Sequence, residues 1–156
     1  MSPRAAWRLD SLGYDAYDYV AGKADWLAFG LASEGAATLA ARALTTDVPT
    51  CGFRDRLGDV RNILEESRFG MLVALNAEGI VMGRLDARTA ENADDDETTV
   101  EQLMREGPTT VRPSEELGPL AERMRRADVD AVLVTSSDGR LLGLLERHQA
   151  EEAQKE

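Results

Sequence analysis

Hydrophobic and polar positions follow one pattern twice. From residue 50 onward a short extended piece precedes apolar residues at helical spacing, Leu57, Val60 and Leu64, and then two strand-like runs. The same order returns with Leu117, Leu120 and Met124. Thr50 falls on Thr110, Leu57 on Leu117, Gly58 on Gly118 and Val60 on Leu120, a constant offset of 60 residues. Without a gap, Met71-Leu72-Val73-Ala74 then falls on Ala131-Val132-Leu133-Val134, Gly83 on Gly143, and Asp86 on Glu146. Each copy is predicted to be a β-α-β-β unit.

Local signals support those elements. The second helix is predicted from Leu117 to Arg126, with Ser114 as its cap, Glu115 and Glu116 near its positive end, and Pro119 in its first turn. Glu78-Gly79 and Asp138-Gly139 sit between paired apolar runs, which is a hairpin signal. The runs are continuously apolar, so both faces of these strands should be covered. One copy cannot cover them alone. Two copies packed sheet to sheet, helices outside, give an α/β body with pseudo-twofold symmetry.

The chain before residue 36 differs in kind. Six of the eight aromatic residues lie there (Trp7, Tyr14, Tyr17, Tyr19, Trp26 and Phe29), and glycines 13, 22, 30 and 35 divide it into pieces suited to turns and one or two short helices. An Ala/Leu stretch at 36–44 predicts a linker helix ending before Pro49. The expected divisions are an extension at 1–35, the linker helix and first unit at 36–100, the second unit at 101–152, and a tail at 153–156.

With 156 residues, 43% of them hydrophobic and 30% charged, the chain is expected to form one body and bury about two-thirds of its unfolded surface. The single cysteine, Cys51, and single histidine, His148, provide neither an intramolecular disulfide nor a structural zinc site, and suggest a reducing compartment. No apolar run reaches 18 residues and the first ten residues lack a signal-peptide core, so a soluble, cytoplasmic protein without membrane contact is expected. A formal charge of −11 disfavours nucleic acid as a partner; otherwise the acidity reads as solubility.

Over residues 45–150 the chain resembles a tandem pair of CBS domains. The resemblance rests on Thr109-Thr110-Val111-Arg112-Pro113, the following helix, Ala131 to Val134, and Asp138-Gly139-Arg140-Leu141-Leu142-Gly143-Leu144-Leu145. Residues 99–104 are similar to the helix that precedes a second CBS motif. What it implies is a non-catalytic regulatory module, usually a homodimer, that needs no cofactor and binds an adenosine-containing ligand such as AMP, ATP or S-adenosylmethionine between its motifs. It also implies action on the dimer or on a separate protein partner. Ligand contact then falls on Thr50, Cys51, Thr110 and Val111 in the leading strands, and on Asp86, Thr89, Glu146, Arg147 and Gln149 beyond the last ones.

The sequence departs from the family there. Nucleotide-binding members carry Thr or Ser after a Gly-apolar-apolar strand end and Asp three residues on. Here the positions hold Asp86 and Thr89 in the first copy, and Glu146 and Gln149 in the second. An ionised carboxylate accepts ribose hydroxyls but cannot donate to phosphate. Arg84, Arg88 and Arg147 offer compensating charge. Three readings stay open: a phosphate-poor or cationic adenosyl ligand, a conventional AMP or ATP site, and clefts that bind nothing tightly.

Leu9 to Tyr14, Tyr19 to Trp26 and Gly30-Leu31 resemble the C-terminal tail of rhodanese-like sulfurtransferases, without the upstream loop cysteine that carries the activity. The aromatic residues read either as a cap on the α/β body or as a contact surface, the basis of an alternative, ligand-free interaction module. Cys51 reads as a buried apolar residue, the five carboxylates within residues 91–97 as a solvated loop rather than a metal site, and His148 as an exposed or capping residue. No catalytic constellation is present in the sequence.

Overall fold

The computed structural model describes residues 9, 11–14 and 38–153. In the first copy, β1 (Thr50–Gly52) leads to α1 (Leu57–Glu66), β2 (Met71–Leu75) and β3 (Val81–Asp86), followed by α2 (Ala87–Glu91). A connecting turn of helix, α3 (Val100–Leu103), and β4 (Arg105–Glu106) precede the second copy. That copy has β5 (Thr110–Val111), α4 (Leu117–Arg126), β6 (Ala131–Thr135), β7 (Leu141–Glu146) and α5 (Arg147–Glu152). β1 and β5 run parallel to β2 and β6, which pair antiparallel with β3 and β7.

The sequence offset survives as hydrogen-bond register. Met71 faces Asp86 as Ala131 faces Glu146, and Ala74 faces Gly83 as Val134 faces Gly143. Even the irregularity before the hairpin recurs, between Ala74 and Leu75 and between Val134 and Thr135. The hairpin glycines, Gly79 and Gly139, have φ of 79° and 87°, a conformation that costs glycine least. At their tips the hairpins pair reciprocally: the Val81 N–H donates to the Gly139 carbonyl (3.1 Å) and the Leu141 N–H to that of Gly79 (3.2 Å). This reciprocity marks the pseudo-twofold axis.

The units also exchange their leading segments. β4, which precedes the second copy, joins the first sheet by pairing with β3. Thr45, which precedes the first copy, bridges Leu144 on β7 through two backbone hydrogen bonds. The crossing explains why glycine stands at both 83 and 143. A Cβ on Gly83 would lie 2.8 Å from the Arg105 carbonyl oxygen, and one on Gly143 would lie 2.5 Å from that of Thr45. Both are closer than any side chain tolerates.

Exchange also corrects the linker prediction. Within 38–44 the backbone makes only a 3₁₀ turn, Ala40–Arg42, rather than a helix. The Thr38 carbonyl accepts the Leu117 N–H, and the amides of Ala40 and Ala41 donate to Glu115 and Pro113. These bonds and the complete burial of Ala40 outweigh propensities of a few tenths of a kcal/mol per residue. Ser114 does not cap α4, whose N-cap residue is Glu116. The predicted helix positions Leu57, Val60, Leu64, Leu117, Leu120 and Met124 are all buried.

The core therefore has three parts. Leu57, Val60, Leu64, Leu72 and Leu85 pack under α1 with Val100 from the connector. Leu117, Leu120, Met124, Val132 and Leu145 pack under α4 with Ala40 from the exchanged segment. Met71, Val73, Leu133 and Leu144 join the two sheets. Each buried leucine contributes about 1.5–3 kcal/mol, so neither copy can part from the other cheaply. Among the described residues no helix is long and apolar enough to cross a membrane.

Candidate functional site

Because β2 begins where β3 ends, Met71, Asp86, Ala131 and Glu146 meet at the sheet ends opposite the hairpins. They line a cleft of about 630 Å³ between the copies, within the size range of small-molecule sites. Phe69, Met71, Val129, Ala131 and Leu133 supply its apolar surface. Arg68, Arg84, Arg105, Asp86, Asp128, Asp130 and Glu146 supply its charge.

The deepest charged groups come from β3 and β7. Arg84 and Asp86 are two residues apart on one face of β3; Nη2 donates to Asp86 Oδ2 at 3.4 Å. Arg84 Nε lies 3.0 Å from Asp86 Oδ1, yet it is buried and makes no hydrogen bond. Proximity here gives charge pairing without a well-aimed donor. Glu146 is the N-cap of α5; its carboxylate accepts the Gln149 N–H while Gln149 Oε1 accepts the Glu146 N–H, a reciprocal capping box. His148 Nε2 lies 3.9 Å from Glu146 Oε2, with its side chain exposed as expected.

Of the residues singled out by sequence, Arg84, Asp86 and Glu146 come together in the cleft. Thr50 and Thr110 are exposed on the leading strands, where Thr109 rather than Thr110 reaches the cleft. Cys51 and Val111 point into the two cores. Thr89 is exposed on α2, away from the cleft lining. Gln149 Nε2 donates to Thr45 Oγ1 at 3.1 Å and so ties α5 to the exchanged segment. Arg147 stands behind the cleft, its Nη2 2.6 Å from Asp130 Oδ1 and its Nη1 3.8 Å from Asp128 Oδ1.

Sequence reasoning missed Arg68, Arg105, Asp128 and Asp130. Superposing the copies would have paired Arg68 with Asp128 before β2 and β6. Arg105 had no such signal, since only segment exchange brings it beside Arg84.

The other candidates have structural duties. Burial, then the nearby Asp55, pushes the Cys51 thiol up to about 11. In the acidic run, Asp96 pairs with Arg61 at 2.7 Å, Glu97 pairs with Arg56 at 2.7 Å, and Asp95 accepts the Glu97 N–H. Arg61 also donates to the carbonyls of Ala90 and Ala93, stapling this loop to α1. Among the described residues no group of His, Cys, Asp and Glu is arranged to hold a metal ion. Of the aromatic and sulfurtransferase-like stretch only residues 9 and 11–14 are described, with Leu12 and Tyr14 exposed; Trp7, Tyr17, Tyr19, Trp26 and Phe29 lie outside the described residues.

Residues 100–154 match the family model of the CBS domain. The first copy lies outside that match and shares its register. No curated protein matches the chain. Among solved structures, the CBS domains of a transcriptional regulator from Streptococcus pneumoniae are 23% identical with a TM-score of 0.59, over 66% of this chain and 86% of that one. A CBS-domain pair solved with 5′-methylthioadenosine and S-adenosyl-L-methionine is 18% identical with a TM-score of 0.62, over 76% and 97%. The protein CBSX2, solved with AMP, is 19% identical with a TM-score of 0.65, over 75% and 96%. At such identities the likeness carries the fold, which is that of a CBS-domain pair.

Proposed function

We propose that this CBS-pair fold is a non-catalytic regulatory module that binds an adenosine-containing ligand between its two copies. The observation that supports it best is the cleft at the sheet ends, where an apolar surface, the Arg84 guanidinium with one buried N–H outside any hydrogen bond, and two carboxylates from equivalent strand ends converge. Structural neighbours hold AMP, or 5′-methylthioadenosine and S-adenosyl-L-methionine, in the same fold. Asp86 and Glu146 occupy the positions at which nucleotide-binding members of the family carry a hydroxyl donor, and carboxylates there make a triphosphate the least suited of the adenosyl ligands. The module acts by linkage: a ligand that prefers one arrangement of the copies shifts the population toward it. A homodimer or a separate protein partner receives that shift.

Thermal shift of the purified chain with AMP, ADP, ATP, S-adenosylmethionine, adenosine and NAD, with and without Mg²⁺, tests the proposal. A ligand of the folded state at a hundredfold excess over Kd adds about 2.7 kcal/mol and must raise the midpoint. One observation favours the ligand-free interaction module instead: Gln149, at the position of the family's ribose-binding acid, is already engaged by Thr45. No shift with any compound at millimolar concentration would decide for that reading and direct attention to partners of residues 1–35.

A further inference from the structure

The fold repeats across the pseudo-twofold axis, but the charge of the cleft inverts. Arg68 in the first copy stands where the second has Asp128, and Gly70 where it has Asp130. Arg84 occupies the position of the fully buried Leu144, and Arg105 that of Thr45. Only Asp86 and Glu146 keep the same sign. The first-copy side of the cleft thus has three guanidinium groups against one carboxylate. The second-copy side has three carboxylates, with Arg147 behind them already tied to Asp130 and Asp128.

Each side also has a group that is not fully used. Arg84 Nε is buried 3.0 Å from Asp86 Oδ1 without a hydrogen bond to it, and Nη2 reaches Asp86 only at 3.4 Å, so Asp86 balances the charge of Arg84 while leaving its donors poorly satisfied. Glu146 uses its carboxylate on one backbone N–H, while a carboxylate has about four acceptor sites. A symmetric cleft with uniform charge would admit a ligand in two equivalent orientations. Charge of opposite sign on its two sides selects one.

We infer that the cleft takes a dipolar adenosyl ligand, with an anionic group on Arg84 and a cationic group on Glu146, held once per chain in a single orientation. This rests on the adenosyl-binding reading above and specifies the ligand's charge. Mononucleotides satisfy the arginine side alone, neutral nucleosides neither side, and a triphosphate meets the carboxylates of the opposite side.

Calorimetric titration of the full chain tests this with S-adenosylmethionine and S-adenosylhomocysteine, which carry both charges, against neutral 5′-methylthioadenosine and anionic AMP. The dipolar compounds should bind at one per chain, about tenfold or more tighter than either of the others, as expected for desolvated charge pairs. Arg84→Met, which copies the apolar character of the equivalent Leu144, and Glu146→Gln, which retains an acceptor for the α5 cap, should each weaken S-adenosylmethionine about tenfold. Both should leave 5′-methylthioadenosine within roughly twofold. Should Arg84→Met fail to fold, the exposed Arg68→Gln gives the same readout at the rim.

Equal affinity for 5′-methylthioadenosine or AMP would overturn the dipolar assignment while leaving the adenosyl site standing. Two ligands per chain, or variants without effect, would do the same. Binding of no adenosyl compound would overturn both.

Discussion

Replacing Arg112 by Met should destabilise the protein by about 2 kcal/mol through a hydrogen bond that the second copy makes differently from the first. In the first copy the Phe53 N–H donates to the Leu75 carbonyl at 3.0 Å. The equivalent pair is Pro113 and Thr135, and proline has no N–H to give. Arg112 substitutes for it: Nη1 donates to Thr135 Oγ1 at 2.7 Å, to the Thr135 carbonyl at 3.4 Å and, in a short contact, to the Ser136 carbonyl. Gly52 holds this position in the first copy, where no substitute is required. The Ser136 carbonyl still accepts the Gly139 N–H at 3.1 Å, but Thr135 is only 1% exposed, so methionine takes this donor from its two oxygens, at about 1–3 kcal/mol each. Arg112 itself is exposed, and water entering beside it keeps the sum near the lower bound, about 2 kcal/mol. Urea unfolding should then show a lower midpoint at unchanged slope, and the melting temperature should fall by roughly 4–8 °C. Pro113→Ala restores the missing N–H, so the Arg112→Met/Pro113→Ala double variant should be more stable than the sum of its singles, by about 1 kcal/mol. A single variant within about 0.5 kcal/mol of the parent, or strict additivity, would refute the compensation argument.

Further outcomes follow from the crossing and from Cys51. Gly143→Ala places a methyl 2.5 Å from the Thr45 carbonyl oxygen and 2.6 Å from Leu44 Cδ1, so it should cost about 1–3 kcal/mol and speed hydrogen exchange at Thr45 and Leu144 before the rest of β7. With its thiol raised from 9.0 to about 11, Cys51 should alkylate at pH 8 about a hundredfold more slowly in the folded chain than when unfolded. Because the unfolded thiol loses its proton first, Cys51 leaves stability unchanged below pH 9 and lowers it as pH rises from 9 to about 11. Cys51→Ala should flatten that decline in urea unfolding measured across the same range; an undiminished slope would assign it to other groups.

Much of the fold was legible because its signals are local. Helical spacing at Leu57, Val60 and Leu64, the acid-glycine hairpins, and the 60-residue recurrence each act over a few residues or compare the chain with itself. The repeat also placed Asp86 and Glu146 at matching strand ends, and both meet in the cleft together with Arg84, which the sequence had offered as compensating charge. Propensity failed where long-range bonds competed: Ala/Leu composition at 36–44 predicted a helix, but Thr38, Ala40 and Ala41 are hydrogen-bonded to residues 113–117. Partner choice of that kind has no local signature. Segment exchange, which gives glycines 83 and 143 their purpose and brings Arg105 to Arg84, was likewise settled only in three dimensions. The sequence by itself determined two equivalent units and their shared core, since burial of a periodic apolar face needs no knowledge of the partner. Tertiary structure alone decided how the units interlock and which charges face each other across the cleft, because those depend on contacts between residues that no local pattern relates.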